Sequence, residues 1–196
     1  MFLYTKKKAI DLKLCESFIQ TFEESDEKRP GMLYGPEGTS STSSKKSTDI
    51  TLNPGYLDHP KWNPLLSQLI PVIEKGKQDY VQRHDLAMSK MDPFEISSHF
   101  NIQRYEPGEG FFSWHCERAT VKYSKRVLVW MLYLNTVTDR GETEFYYQHH
   151  FEPATAGKLV IWPSDWMYLH RGVASLTQSK YILTGWFTQI DRPQTN

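Results

Sequence analysis

The chain has 196 residues, 39% of them hydrophobic and 14% aromatic, and its 23 basic and 23 acidic residues cancel to a formal net charge of zero. That length predicts one domain over 1–196 with room for a real core, and the charge balance gives no field to gather nucleic acid or an anionic membrane. No apolar run approaches the ~20 residues of a membrane span.

Met1 to Lys8 carries positive charge without the apolar stretch of a secretory signal. Two cysteines, Cys15 and Cys116, are too few for a disulfide scaffold. The expectation is a cytoplasmic protein with neither nucleic-acid nor membrane partners.

In chain order, Asp11 is placed to cap a helix whose apolar residues Leu14, Phe18, Ile19 and Phe22 recur at helical spacing, and that helix runs out near Pro30-Gly31. Residues 35–47 (GPEGTSSTSSKKS) are rich in Gly and Ser and read as a mobile surface loop, or as a lid that orders over substrate. A second helix starts near Asn63-Pro64, with Asn63 as its cap, and carries Leu65, Leu66, Leu69, Ile70, Ile73, Tyr80 and Val81. Pro71 inside it should kink or divide it.

From Ser98 the character turns to short β-type runs: His99 to Tyr105, Val127 to Leu134, Lys158 to Trp162 and Tyr181 to Thr188. Turn signals at Pro107-Gly108, Asp139-Arg140-Gly141 and Ala156-Gly157 separate them. Helical support and a mobile loop over 1–95, then a catalytic β-core over 96–190, make an α+β chain ending in a β-sandwich or jelly roll.

The chemistry concentrates in His115-Cys116-Glu117, His170 and Lys180. On one extended strand, the i, i+2 spacing of His115 and Glu117 points both side chains to one face, whereas a helix would splay them. Two histidines and a carboxylate with open positions suit Fe(II) that binds an organic cosubstrate and dioxygen together. A lysine buried in a barrel is costly without a neutralising carboxylate, so Lys180 argues for an anionic ligand.

From about Arg104 to Gln189 the chain resembles the 2-oxoglutarate- and Fe(II)-dependent dioxygenases, in their prolyl 4-hydroxylase-like branch. The motifs that carry this are Arg104-Tyr105-Glu106-Pro107-Gly108, His115-x-Glu117, Leu132-Tyr133-Leu134-Asn135 and Gly141-Glu142-Thr143-Glu144-Phe145, then Gly157 to Pro163, His170-Arg171-Gly172 and Lys180 to Trp186. Lys45 to Asp49 also looks like an N-terminal segment of that branch. The resemblance implies a double-stranded β-helix (jelly roll) with N-terminal helices packed on one sheet.

It further implies His115, Glu117 and His170 as iron ligands and Lys180 as partner of the far carboxylate of 2-oxoglutarate. Thr184 and Trp186 would sit beside Lys180 on the same strand face. The implied reaction hydroxylates a C–H bond with release of succinate and CO2, using Fe(II), 2-oxoglutarate and O2, with ascorbate as a reductant. A prolyl residue of a peptide or protein is the first substrate class, and a small molecule the second.

Two residues depart from the family pattern. Glu117 stands where Asp is usual and is one methylene longer. Phe112 stands where a Tyr hydroxyl helps hold the cosubstrate, a bond Phe cannot donate, and Tyr105 or Tyr133 is a candidate replacement.

Other residues take plainer readings. Cys116 should face away from the ligands, Gln148-His149-His150 reads as a hairpin loop, and Glu142 and Glu144 as structural or rim residues. Arg171 could meet substrate or form a surface salt bridge. Two other functions share the triad: a cupin-like metalloprotein without 2-oxoglutarate, which has no need of Lys180, and a non-catalytic binding module in which Glu117 marks a decayed iron site.

Overall fold

The computed structural model describes residues 1–31 and 43–190. The chain opens with β1 (Tyr4–Lys6) and α1 (Leu12–Glu23), followed by β2 (Arg29–Pro30), β3 (Lys45–Lys46) and β4 (Thr48–Leu52). Helices α2 (Asn63–Arg83) and α3 (Asp85–Met88) lead into β5 (Phe94–Ile96), β6 (Phe100–Tyr105) and β7 (Gly110–Phe111). Then come β8 (Arg126–Tyr133), β9 (Thr143–Phe145), β10 (His150–Glu152), β11 (Leu159–Pro163), β12 (His170–Gly172) and β13 (Lys180–Gln189).

The major sheet runs β1-β11-β8-β13-β6-β4-β2, with β5 also paired to β13. A minor sheet runs β10-β9-β12, and β3 pairs with β7. The two facing sheets form a double-stranded β-helix. Among the described residues, no helix is long and apolar enough to cross a membrane.

Strand parity sorts the core into two. In β8, Leu128, Trp130 and Leu132 join an outer cluster with Phe18 and Phe22 of α1 and Leu66, Leu69 and Ile73 of α2. Val129, Met131 and Tyr133 point the other way, into a cluster with Phe145, Trp162 and Tyr168 between the sheets. β11 splits likewise, with Leu159 and Ile161 outward and Val160 and Trp162 inward. A strand buried on both faces reads as a near-continuous apolar run, which is why Val127–Tyr133 shows no polar alternation. Each fully buried phenylalanine contributes roughly 1.5–3 kcal/mol.

Asp11 caps α1 through its Oδ1, which accepts from the Leu14 amide at 2.8 Å. The second helix departs from expectation in two ways. Its N-cap is Trp62, with Asn63 the first helical residue, and α2 runs unbroken through Pro71. Pro71 and Ser67, whose carbonyl loses its partner, are both exposed, so water satisfies the freed group and the helix continues. Gly76 lets α2 approach the sheet closely, since a Cβ there would lie 2.7 Å from Leu159 Cδ2.

The loop expected over 35–47 is corrected at its C-terminal end. Residues 35–42 lie outside the described residues, but Lys45 and Lys46 form β3 against Phe111 and Gly110, with Lys45 buried. The short strands β9, β10 and β12 lacked enough residues to show an alternation in sequence.

Candidate active site

His170 heads β12 and lies opposite His115, the two joined in an isolated antiparallel bridge. His115 and Glu117 do not lie on a regular strand, a correction to the sequence reading. The segment is irregular, held by the bridge at His115 and by the Glu117 and Arg118 amides donating to the Ser164 carbonyl, both at 3.0 Å. The His115 and Glu117 side chains nonetheless converge with that of His170. Glu117 Oε1 lies 3.3 Å from His115 Nε2 and 3.6 Å from His170 Nε2, and one ligand atom from each of the three lies within 4.8 Å of the others.

The tautomers follow from the second ring nitrogens. His115 Nδ1 is 3.0 Å from the Ser113 carbonyl and His170 Nδ1 is 2.9 Å from the Tyr168 carbonyl. A carbonyl only accepts, so each Nδ1 carries a proton and each Nε2 presents a lone pair toward Glu117. Burial, then the nearby His170, push His115 below its ordinary pKa. Burial works to raise the Glu117 carboxyl, but when the two imidazoles are protonated at Nε2 their N–H donors and charge hold it well below the carboxylate range; with both Nε2 atoms unprotonated that relief is gone. Lone pairs from three groups converge, so something positive must lie between them. Two imidazoles and a carboxylate fit a divalent transition metal.

The other oxygen of Glu117 is separately held. Oε2 accepts from Trp186 Nε1 at 2.9 Å and from Arg126 Nη1 at 3.1 Å. Arg126 was not expected here. By alternation it would share the outer face of β8 with Leu128, but the β8–β13 register jumps from Phe187↔Leu128 to Thr188↔Arg126, leaving Val127 as an extra residue. That bulge inverts parity, sends Val127 to the outer cluster and turns Arg126 inward. The only sequence signal was a charge flush against an uninterrupted apolar strand.

A cavity of about 730 Å³ is lined by His115, Glu117, His170, Lys180, Tyr105, Thr184 and Trp186, among others. Lys180 is buried, and its Nζ donates to the carbonyls of Gly141 at 3.0 Å and Val173 at 3.4 Å. Burial lowers its pKa to about 8, with only partial relief from the charge of Glu142. No carboxylate among the described residues forms an ion pair with it. The ammonium also lies 5.1 Å from the centre of the Tyr105 ring, its register partner across β6.

Lys180, Ile182, Thr184 and Trp186 all line the cavity, as equal parity requires. Trp186, however, lies about 20 Å along the strand from Lys180 and serves Glu117, so it does not sit beside the lysine. Thr184 Oγ1 donates to the Trp130 carbonyl at 3.2 Å. Tyr133 is not among the lining residues. Its hydroxyl meets Thr143 Oγ1 at 2.7 Å and the Glu152 carbonyl at 3.3 Å, so it stands behind Thr143, which does line the cavity. Of the two candidates to replace the missing hydroxyl at Phe112, only Tyr105 reaches the cavity. Phe112 itself is 37% exposed.

Tyr105 ends a buried polar chain that sequence reasoning missed. Its hydroxyl donates to Gln103 Oε1 at 2.8 Å, Gln103 Nε2 donates to Asp49 Oδ2 at 3.0 Å, and Lys45 Nζ pairs with the same oxygen at 2.7 Å. Phe111, paired with Lys45, stacks on the His115 ring with centroids 3.5 Å apart. Cys116 is also among the residues that line the cavity, and is not one of the three groups that converge. The indole N–H of Trp162, another lining residue, has no partner among the described residues.

Arg171 does not line the cavity. It pairs with its cross-strand neighbour Glu144 at 2.7 Å and lies 4.5 Å from the Trp114 ring centre, which makes Glu144 structural. His149 sits in the β9–β10 turn with φ 48°, and His150 begins β10, 3.1 Å from Glu152.

Residues 100–188, which hold the three converging groups and Lys180, match the sequence model of the 2OG-Fe(II) oxygenase superfamily. That match spans the β-core from β6 to β13. The chain has a fold similar to the viral collagen prolyl hydroxylase of Paramecium Bursaria Chlorella virus-1, solved with 2OG (TM-score 0.69, 15% identity, 97% of each chain covered). It is also similar to a prolyl-4-hydroxylase of Pseudomonas putida (0.70, 18%, covering 96% of this chain and 93% of that one). A third is a Trichoplax adhaerens prolyl hydroxylase in complex with a hypoxia inducible factor oxygen degradation domain peptide fragment (0.72, 13%, 95% and 83%). No curated protein sequence matches the chain.

Proposed function

We propose that the protein is a 2-oxoglutarate- and Fe(II)-dependent oxygenase that hydroxylates a prolyl residue of a peptide or protein, with His115, Glu117 and His170 holding Fe(II) and Lys180 receiving the far carboxylate of 2-oxoglutarate. The observation that carries the reading is the buried, carboxylate-free ammonium of Lys180 in the same cavity as the His–Glu–His cluster. An uncompensated buried charge costs several kcal/mol, and an anionic cosubstrate removes that cost. A cupin-like metalloprotein without 2-oxoglutarate leaves Lys180 unexplained. A decayed site leaves unexplained why both imidazoles and the carboxylate are individually fixed by hydrogen bonds.

Bound together, Fe(II), 2-oxoglutarate and dioxygen supply oxidative decarboxylation to succinate and CO2 coupled to hydroxylation of a C–H bond. The chain's own groups bind and orient. Carbonyl acceptors fix the imidazoles, Lys180 sets the register of the cosubstrate, and the Tyr105 ring, its hydroxyl donating to Gln103, packs beside that ammonium. Ile182, Met131 and Trp162 keep the inner cavity apolar, while Glu27, Arg29, Tyr56 and Asn101 give its mouth a polar lining. An open polar mouth suits an extended peptide, and the peptide-bound Trichoplax neighbour supports that class.

The test is succinate formation with and without Fe(II), ascorbate and proline-containing peptides, in wild type, His170→Ala and Lys180→Ala. Iron-dependent turnover stimulated by peptide, lost in His170→Ala and demanding far more 2-oxoglutarate in Lys180→Ala, is the expected result. Stimulation by small molecules and not by any peptide would overturn the substrate class.

A further inference from the structure

The geometry points to Arg126 and Trp186 as a positioning pair that keeps Glu117 a one-oxygen metal ligand. This rests on the metal site proposed above and concerns how the carboxylate meets the ion. Glu has one more rotatable bond than Asp, and an unrestrained carboxylate can turn both oxygens onto a cation. In this chain the two oxygens have different surroundings. Oε1 faces the histidine nitrogens at 3.3 and 3.6 Å, while Oε2 accepts from Trp186 Nε1 at 2.9 Å and Arg126 Nη1 at 3.1 Å.

Several contacts hold the pair. The Arg126 guanidinium lies against two aromatic rings, 4.0 Å from the Tyr123 centre and 3.5 Å from that of Trp186. Arg126 Nη1 also donates to the Glu117 backbone carbonyl at 3.2 Å, so one nitrogen fixes both ends of the residue. Both donors come from the major sheet, Arg126 turned inward by the Val127 bulge and Trp186 by the parity of β13. Neither depends on the irregular segment that carries Glu117.

Three protein atoms on a six-coordinate ion leave about three positions exchangeable, and a second carboxylate oxygen would occupy one of them. The pair therefore preserves the open face that cosubstrate and dioxygen share.

The test uses Mn(II) as probe, without cosubstrate, on wild type, Trp186→Phe and Arg126→Lys. Trp186→Phe keeps a ring against Arg126 and removes only the N–H donor. Bound water is counted by water-proton relaxation and by Mn(II) EPR in 17O-water, and metal-free melting confirms that each variant folds. Wild type is expected to hold about three waters and the variants about two, a fall of about a third in inner-sphere relaxivity.

Unchanged water counts in folded variants overturn the inference, as does a wild type that already holds about two. Loss of Mn(II) binding in a variant that melts like wild type also overturns it, because the carboxylate would then have swung away instead of turning onto the ion. Failure of wild type to bind Mn(II) sinks the metal site itself. Should Arg126→Lys not fold, Trp186→Phe decides alone.

Discussion

His115 and His170 exchange both backbone hydrogen bonds, His115 N–H to the His170 carbonyl at 3.0 Å and His170 N–H to the His115 carbonyl at 2.9 Å. Direct opposition in an antiparallel pair puts the two side chains on one face, and their ring centres are 4.2 Å apart. The metal-facing geometry is thus set by backbone pairing, before any ion arrives.

His170→Ala should therefore leave the fold intact and abolish the donor set. Losing a direct ligand should cost more than the 10–100-fold typical of an outer partner, so Mn(II) affinity is expected to fall by over about 100-fold. Calorimetric titration checks this, alongside melting without metal. An affinity within about tenfold of wild type would remove His170 from the site.

The proposed role of Lys180 makes cosubstrate binding pH-dependent. Burial depresses its pKa to about 8, so above that pH the ligand-free folded protein loses the proton while the unfolded chain, near 10.5, keeps it. Ligand-free stability from this group consequently rises with pH between about 8 and 10.5. Affinity for the dicarboxylate runs the other way. It should be level below about pH 8 and weaken above it, approaching tenfold per pH unit, as binding comes to require proton uptake. Titrations of the Mn(II)-loaded protein from pH 7 to 9.5 would show this, and a profile unchanged across that span would place the carboxylate elsewhere.

The Lys45–Asp49 pair is 5% and 13% exposed at its side chains, so removing one partner strands a buried charge. Asp49→Leu alone is expected to cost about 3–5 kcal/mol, whereas Lys45→Met with Asp49→Leu should recover most of it. Urea midpoints across the double-mutant cycle give the coupling. The double variant should still bind 2-oxoglutarate less well, because Gln103 and the Tyr105 ring against which Lys180 packs lose their anchor.

Gly185 sits in β13 opposite Trp130. A Cβ there would lie 2.6 Å from Trp130 Cζ2 and 2.7 Å from Phe100 Cβ, neither a flexible chain end. Gly185→Ala should destabilise by about 1–3 kcal/mol through overpacking, read as a lowered denaturation midpoint at unchanged slope.

The long strands and the His–Glu–His cluster were legible because each rests on a local rule. Apolar runs bounded by turns located β6, β8, β11 and β13, and parity put Lys180, Ile182, Thr184 and Trp186 on one face. What was hidden depends on non-local geometry. A single extra residue at Val127 inverts the parity that would have assigned Arg126 outward. Lys45 lies in a Ser-rich run and gains its strand only by pairing with Phe111, distant in sequence. Tyr133 carries a family motif, yet its hydroxyl is taken by Thr143, a partner ten residues on. Pro71 was read as a break because sequence does not reveal which helix face meets water.

The three converging groups do not belong to one wall of the barrel. His170 hangs from the minor sheet, with its three short strands, while Glu117 is gripped by Arg126 and Trp186 of the major sheet. An ion bound there is therefore also a fastener between the walls, closing the structure where its hydrogen-bonded edges are shortest. Chelation would loosen this lip of the barrel first, and the turn at 146–149 is where a protease should then cut soonest. Metal loading would be readable as resistance to nicking, without any assay of turnover.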